Sequence, residues 1–139
     1  MIIAIDGPSG AGKSTLGKML ARKFGLLYLD TGAMYRAVAL ASINDGSSLD
    51  DPARISEVAR SARIELKGEP DSLRVFLNGD DVSDAIRTLE IAQAASVVST
   101  ISDVRKTMVE LQRRLGEESP AGCVLEGRDI GTVVFPNAD

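Results

Sequence analysis

Residues 7–14 read Gly-Pro-Ser-Gly-Ala-Gly-Lys-Ser, between the apolar run Ile2-Ile3-Ala4-Ile5 and a stretch where Leu16, Met19, Leu20 and Phe24 recur at helical spacing. The octet fits G-x-x-x-x-G-K-[ST], and an apolar strand before it with an amphipathic helix after it is the context that pattern requires. For this composition the pattern alone arises by chance on the order of once in two hundred such chains. A strand, a tight glycine turn and a helix commit the N-terminus to a βα unit, and a strand apolar on both faces calls for a parallel sheet around it. Glycines let the backbone curl so that successive N–H groups point inward, and the helix N-terminus adds positive potential where a polyphosphate would lie. Lys13 can reach β- and γ-phosphates, and the Ser14 hydroxyl suits a Mg²⁺ ion. Gly7, Pro8, Ser9, Gly10, Ala11, Gly12, Lys13, Ser14 and Thr15 are therefore the expected triphosphate cradle.

Composition narrows what such a cradle can serve. The 139 residues suit one domain, with 44% apolar and 26% charged residues, near the average for globular chains. Lys and Arg number 16 against 20 Asp and Glu, for a net charge of -4, which disfavours a protein that grips a nucleic-acid polymer by its phosphates. Without Trp, and with three Phe and two Tyr, stacking platforms for single strands are also scarce. No histidine and the single Cys123 exclude His-based triads, Cys/His zinc sites and an internal disulfide. Cys123 reads as a small buried hydrophobe, and one unpaired thiol fits a reducing cytoplasm. The N-terminal apolar run is too short for a signal peptide, and no stretch is long and apolar enough to span a bilayer. A cytoplasmic chain without a membrane partner is expected.

Along the chain, the first helix should stop at Gly25, with Arg22 and Lys23 in its last turn. Leu26 to Leu29 is a second short strand, and Asp30 and Thr31 offer N-caps for a helix through Met34, Val38 and Leu40. Alternating strands and helices imply a parallel sheet with crossover helices. Asp50 or Asp51 before Pro52 starts a helix with Ile55, Val58 and Ala62 on one side. From Ile64 the period changes to alternation through Leu66, a turn at 68–72, Leu73, Val75 and Leu77, and an Asn78-Gly79 hairpin signal before Val82. This is a small antiparallel insert at about 63–87. Helical pattern returns from Thr88 to Ser99, then from a Ser102 cap through Val104, Met108, Leu111 and Leu115, with Gly116 as its stop. Cys123 to Leu125 is the third buried strand.

A triphosphate cradle leaves kinase, GTPase, ATPase and inert binder open. There is no N-K-x-D guanine-reading element and no Gln beside a D-x-x-G turn, which weakens the GTPase reading and favours an acceptor other than water. Thr31 at a helix start and Arg36 on its first turns lie near the carboxyl end of the second strand, the edge at which open α/β sheets bind ligands. A guanidinium there matches a monoester phosphate. Glu126-Gly127-Arg128-Asp129 follows the third strand on the same edge. Ser96 and Arg105 fall on helices of the middle region. Taken by spacing alone, Arg36, Ser96 and Arg105 read as exposed helix residues and Asp6 as the end of the first strand, while Glu126 to Asp129 read equally as a solvated turn or a site.

The segments 5–15, Leu29-Asp-Thr-Gly-Ala-Met-Tyr-Arg36, Val82-Ser-Asp-Ala-Ile-Arg87 and Glu126-Gly-Arg-Asp-Ile-Gly-Thr-Val-Val-Phe-Pro136 together resemble bacterial cytidylate kinases, in order along the whole chain. The resemblance implies transfer of the ATP γ-phosphoryl group to CMP or dCMP, with Mg²⁺ accompanying ATP and Ser14 as its ligand. It assigns catalysis to Lys13, Arg36 and Arg128. It sets the acceptor's phosphate against Arg36 and Arg128, with Thr31 nearby on the nucleotide, and gives cytosine to Ser96, Arg105 and Asp129. The implied fold is an α/β kinase core over 1–139 of the nucleoside-monophosphate-kinase kind, with an acceptor-binding region at about 37–115. The family continues further, with a lid and two more core strands, so the chain resembles its N-terminal portion. A monomer is expected. Two alternatives stay open: another P-loop small-molecule kinase, and a nucleotide-binding segment without turnover.

Overall fold

A computed structural model describes residues 1–8 and 12–139. Its strands are β1 (Ile2–Asp6), β2 (Leu27–Asp30), β3 (Ile64–Lys67), β4 (Arg74–Leu77), β5 (Asp80–Asp81) and β6 (Cys123–Gly127). Its helices are α1 (Lys13–Phe24), α2 (Thr31–Asn44), α3 (Pro52–Ser61), α4 (Leu89–Val98) and α5 (Ser102–Glu118). They fall into two compact units, one of Met1–Gly32, Gly68–Ser72 and Val109–Asp139, the other of Ala33–Lys67 and Leu73–Met108.

The first unit is built on a parallel sheet in the order β1-β6-β2, the α/β architecture that the alternation of strands and helices implies. Ile2 to Asp6 align with Cys123 to Gly127, and Leu27 to Asp30 with Cys123 to Glu126. The three strands therefore end within one residue of each other, Asp6 opposite Gly127 and Asp30 opposite Glu126. Cys123, Val124 and Leu125 of the central strand are fully buried, as an all-apolar strand covered on both faces must be. Beyond β1, the Ile2 N–H donates to the Asp139 carboxylate at 2.8 Å and the Asp139 N–H to the Ile2 carbonyl at 2.8 Å.

Two details of this unit differ from the expectation. The buried line of α1 is Gly17 and Ala21, whereas Leu16, Met19 and Phe24 remain about half exposed. The helix turns its smallest residues to the sheet, because close approach matters more there than side-chain volume. A Cβ on Gly17 would stand 2.9 Å from Tyr28 Cε1. Gly116 is not a stop either, since α5 runs on to Glu118. Its lack of a side chain serves packing: a Cβ there would meet Cys123 Sγ and Phe135 Cζ, each at 2.9 Å. Gly25 does end α1, in the left-handed conformation with φ 64°.

In the second unit Asp51 caps α3, accepting from Arg54 N at 3.2 Å, with Pro52 in the first turn. The buried residues of α3 are Ile55, Ser56 and Ala59, not the Ile55, Val58 and Ala62 line; Ala62 already lies beyond the helix. Ser56 is tolerated inside because its hydroxyl donates to the Pro52 carbonyl at 2.7 Å. The insert is an antiparallel sheet in the order β3-β4-β5. Its Leu77↔Asp80 register closes over Asn78 (φ 52°) and Gly79 (φ 90°), a two-residue turn with both central residues left-handed. Thr88 caps α4 by accepting from Ile91 N at 3.2 Å.

Candidate functional site

The strand ends of the first unit bring chemistry-bearing residues to one edge. Past β1 the chain enters the glycine loop; Ser9, Gly10 and Ala11 of the expected cradle lie outside the described residues. Gly12 resumes it at φ 83°, a conformation that suits glycine. Lys13 opens α1 half-buried, and Ser14 and Thr15 follow exposed in the first turn. With no acidic residue in that turn, the first-turn amides keep their positive potential undiluted.

Thr31 begins α2 after β2 and is 4% exposed. Its hydroxyl donates to the Glu126 carbonyl at 2.8 Å, tying the ends of neighbouring strands. Residue 127 must then be glycine, because a Cβ there would collide with Thr31 Oγ1.

After β6 the chain turns through exposed Arg128 and Asp129 into a π-helical turn, Ile130–Val134. Asp129 has φ 58°, a left-handed conformation that aspartate adopts more readily than most residues. Its carbonyl accepts from Val133 N at 2.9 Å. Two side chains hold this turn from outside it. Asp6 accepts from Ile130 N at 2.7 Å and from Gly131 N at 2.9 Å, one with each carboxylate oxygen. Arg113 donates to the Val134 carbonyl at 2.8 Å and the Val133 carbonyl at 2.7 Å. The structural reading of Asp6 holds, yet it does more than end β1: it joins the residue before the glycine loop to the turn that carries Arg128 and Asp129.

A polar chain crosses the same edge. Tyr28, 2% exposed, donates through its hydroxyl to Glu126 Oε2 and lies 3.4 Å from Ser14 Oγ. Burial, and next the hydrogen bond to Glu126, push the Tyr28 phenol well above its ordinary value, so it stays protonated and donating. Glu126 entered the sequence reading as part of the Glu126–Asp129 group without a role of its own, and Tyr28 only as a residue of the second strand. The legible signal for Tyr28 was a phenol inside an apolar strand, which must find a hydrogen-bond partner. Ser14 Oγ and the Glu126 carboxylate, both against the Tyr28 hydroxyl, are hard oxygens of the type that Mg²⁺ takes, few from protein with water and phosphate completing the shell.

The remaining expected residues belong to the second unit. Arg36 is half-buried on α2. Ser96, on α4, is exposed and donates to the Ala92 carbonyl at 3.2 Å. Arg105, on α5, is exposed.

A parallel sheet with a lysine-opened helix after its first strand, and with Thr31, Glu126, Arg128 and Asp129 at the same edge, defines the class by fold: an α/β core of the nucleoside-monophosphate-kinase kind. The comparisons with known proteins are narrower. The sequence profile described as cytidylate kinase matches residues 3–139. A cytidylate kinase of Citrifermentans bemidjiense is 49% identical over 139 residues, all of this chain and 59% of the relative. One of Caldanaerobacter subterraneus subsp. tengcongensis is 54% identical over 136 residues, 98% of this chain and 58% of the relative. A bifunctional pantoate ligase/cytidylate kinase of Trichormus variabilis is 48% identical over 141 residues, 99% of this chain and 26% of the relative. The chain belongs to the cytidylate kinase family, and it spans less than two thirds of the length of these relatives.

Proposed function

We propose that this chain carries the donor-phosphate loop and acceptor residues of an enzyme that moves the γ-phosphoryl group of ATP to CMP or dCMP. The observation that carries the reading is the common edge of the parallel sheet, where Lys13 and Ser14 after β1 share the strand ends with Thr31, Arg128 and Asp129. An oxygen of the acceptor's phosphate attacks the γ-phosphorus, the bond to the β–γ bridging oxygen breaks, and ADP leaves. Such a transfer needs positioning and charge stabilisation more than covalent help, which suits a chain without histidine. Lys13 and the amides of 7–15 hold the donor phosphates. Ser14, with Glu126 as the carboxylate at the neighbouring strand end, would hold Mg²⁺; when bound, that ion neutralises charge on the β- and γ-oxygens.

Arg128 aligns the acceptor's phosphate, and Thr31 lies against the acceptor nucleotide. Asp129 accepts the cytosine N4 amine; uracil, with a carbonyl oxygen there, would leave the carboxylate unsatisfied. Arg36, Ser96 and Arg105 of the second unit keep the acceptor roles that family membership suggests. That unit is read as the acceptor-binding region expected at about 37–115, with the antiparallel sheet as its insert.

Coupled ADP release tests the reading with CMP, dCMP, UMP, AMP and shikimate as acceptors. Turnover highest with CMP or dCMP is expected from a protein of the relatives' full length. ADP release indifferent to the acceptor would overturn it. For the 139-residue chain, calorimetric CMP binding without ADP release would favour the silent, nucleotide-binding alternative.

A further inference from the structure

Among the residues of the strand edge, the Tyr28 phenol has no task in the reading above. It lies on the sheet face that α1 covers, with Gly17 over its ring. Ser14 and Gly17 are i and i+3 on one helix face, so the packing that sets Gly17 over the ring sets Ser14 beside the hydroxyl, 3.4 Å away. Glu126 follows Val124, the register partner of Tyr28, by two residues, so both side chains emerge on the same face. There Tyr28 donates to Glu126 Oε2.

A phenol has one proton to give. With that proton on Glu126, the Ser14 contact runs from the serine hydroxyl to a phenol lone pair. A serine that has given its proton away keeps its oxygen lone pairs for an electropositive ligand.

We infer that Tyr28 is a positioning residue for the cation side of the donor site, holding the Glu126 carboxylate and orienting Ser14 as an acceptor, so that both present oxygen to one divalent cation. This rests on the donor-loop reading of Ser14. A purely structural phenol accounts for the Glu126 partner, but not for a second contact with the hydroxyl of the glycine loop's last residue.

The chain has no Trp and two Tyr, so Tyr35→Phe leaves Tyr28 as the sole phenol and its near-ultraviolet spectrum as a direct reporter. The probe is inorganic tripolyphosphate, which brings no absorbing base, with Mg²⁺ or with EDTA. A saturable change in the Tyr28 spectrum is expected with Mg²⁺ and not with EDTA; the same response in both overturns the inference. By calorimetry, Tyr28→Phe should weaken Mg²⁺-tripolyphosphate binding about 3- to 10-fold, the worth of one hydrogen bond, and leave Mg²⁺-free binding unchanged. Equal loss in both conditions, or loss in neither, sinks the inference while the donor-loop reading stands. Binding of tripolyphosphate in neither condition by the unsubstituted chain overturns the donor-loop reading and the inference with it. Glu126→Gln keeps an acceptor oxygen for the phenol but removes the charge, and it should abolish the Mg²⁺ dependence; dependence retained in full counts against the inference. Circular dichroism checks each fold, and if Tyr28→Phe does not fold, the spectral arm in Tyr35→Phe decides.

Discussion

Lys13 opens α1 at a helix N-terminus without a neighbouring acid, so its ammonium adds to backbone potential of the same sign. We expect Lys13→Ala to weaken ATP binding about 10- to 100-fold, the range for hydrogen bonds to a charged group, with no change in the urea midpoint. Calorimetry and a denaturation curve together check this; a matched loss of stability would mean that Lys13 is structural. Asp6 is the reverse case. Asp6→Ala removes the acceptor of two backbone N–H groups, and a loss of roughly 1–3 kcal/mol is expected. Hydrogen exchange should rise first at Ile130 and Gly131, and protection unchanged at those amides would refute the clamp. The residue types of the glycine loop announced their own chemistry. The partner of Asp6 did not, because it lies more than a hundred positions along the chain.

At the scale of elements, the join between β2 and β6 depends on Thr31 reaching across a residue without a side chain. Gly127→Ala forces that contact apart, and overpacking of this kind costs about 1–3 kcal/mol; thermal denaturation measures it, and Thr31→Ala in the same chain should recover part of the loss. In the second unit the link from α2 to α3 carries a charge cluster. Arg54, and next Ser47, hold the Asp45 carboxyl down to about 2 from its ordinary 3.8. A carboxylate depressed in the folded state contributes stability that is present above its unfolded value and is lost as pH falls through the folded one. The Asp45 contribution is therefore complete above about pH 4 and disappears toward pH 2. Asp81, held down to about 2 chiefly by Ser83 and then Arg74, behaves alike. Asp45→Asn should flatten the acid limb of a stability-versus-pH curve, and an unaltered limb would mean that this solvent-accessible pair is screened out. Arg54 also pairs with Glu57 three positions on, and its second partner Asp45 lies across the α2–α3 turn; neither pair entered the reading of the sequence.

Over the whole molecule, the lone thiol reports on the core. Cys123 is fully buried in the central strand of the parallel sheet, and burial pushes its thiol up to about 11. Disulfide reagents at neutral pH should label it only through unfolding, so labelling and the urea transition should coincide; rapid labelling of the native chain would contradict that. No helix among the described residues is long and apolar enough to cross a membrane. Local sequence by itself determined what depends on neighbours along the chain: the glycine-loop motif, a cap at Asp50 or Asp51 before Pro52, the Asn78-Gly79 turn, and the alternation that implies a parallel sheet. It misjudged α1 and Gly116, where apolar spacing and glycine content suggested a core face and a stop. Only the tertiary structure decided that small residues face the sheet, that Asp6 and Arg113 brace the turn after β6, and that Tyr28 joins Ser14 to Glu126. The reason is physical. Caps and turns are satisfied within a few residues, whereas close packing and buried hydrogen bonds depend on which distant segment arrives opposite, and that is set by strand order and register.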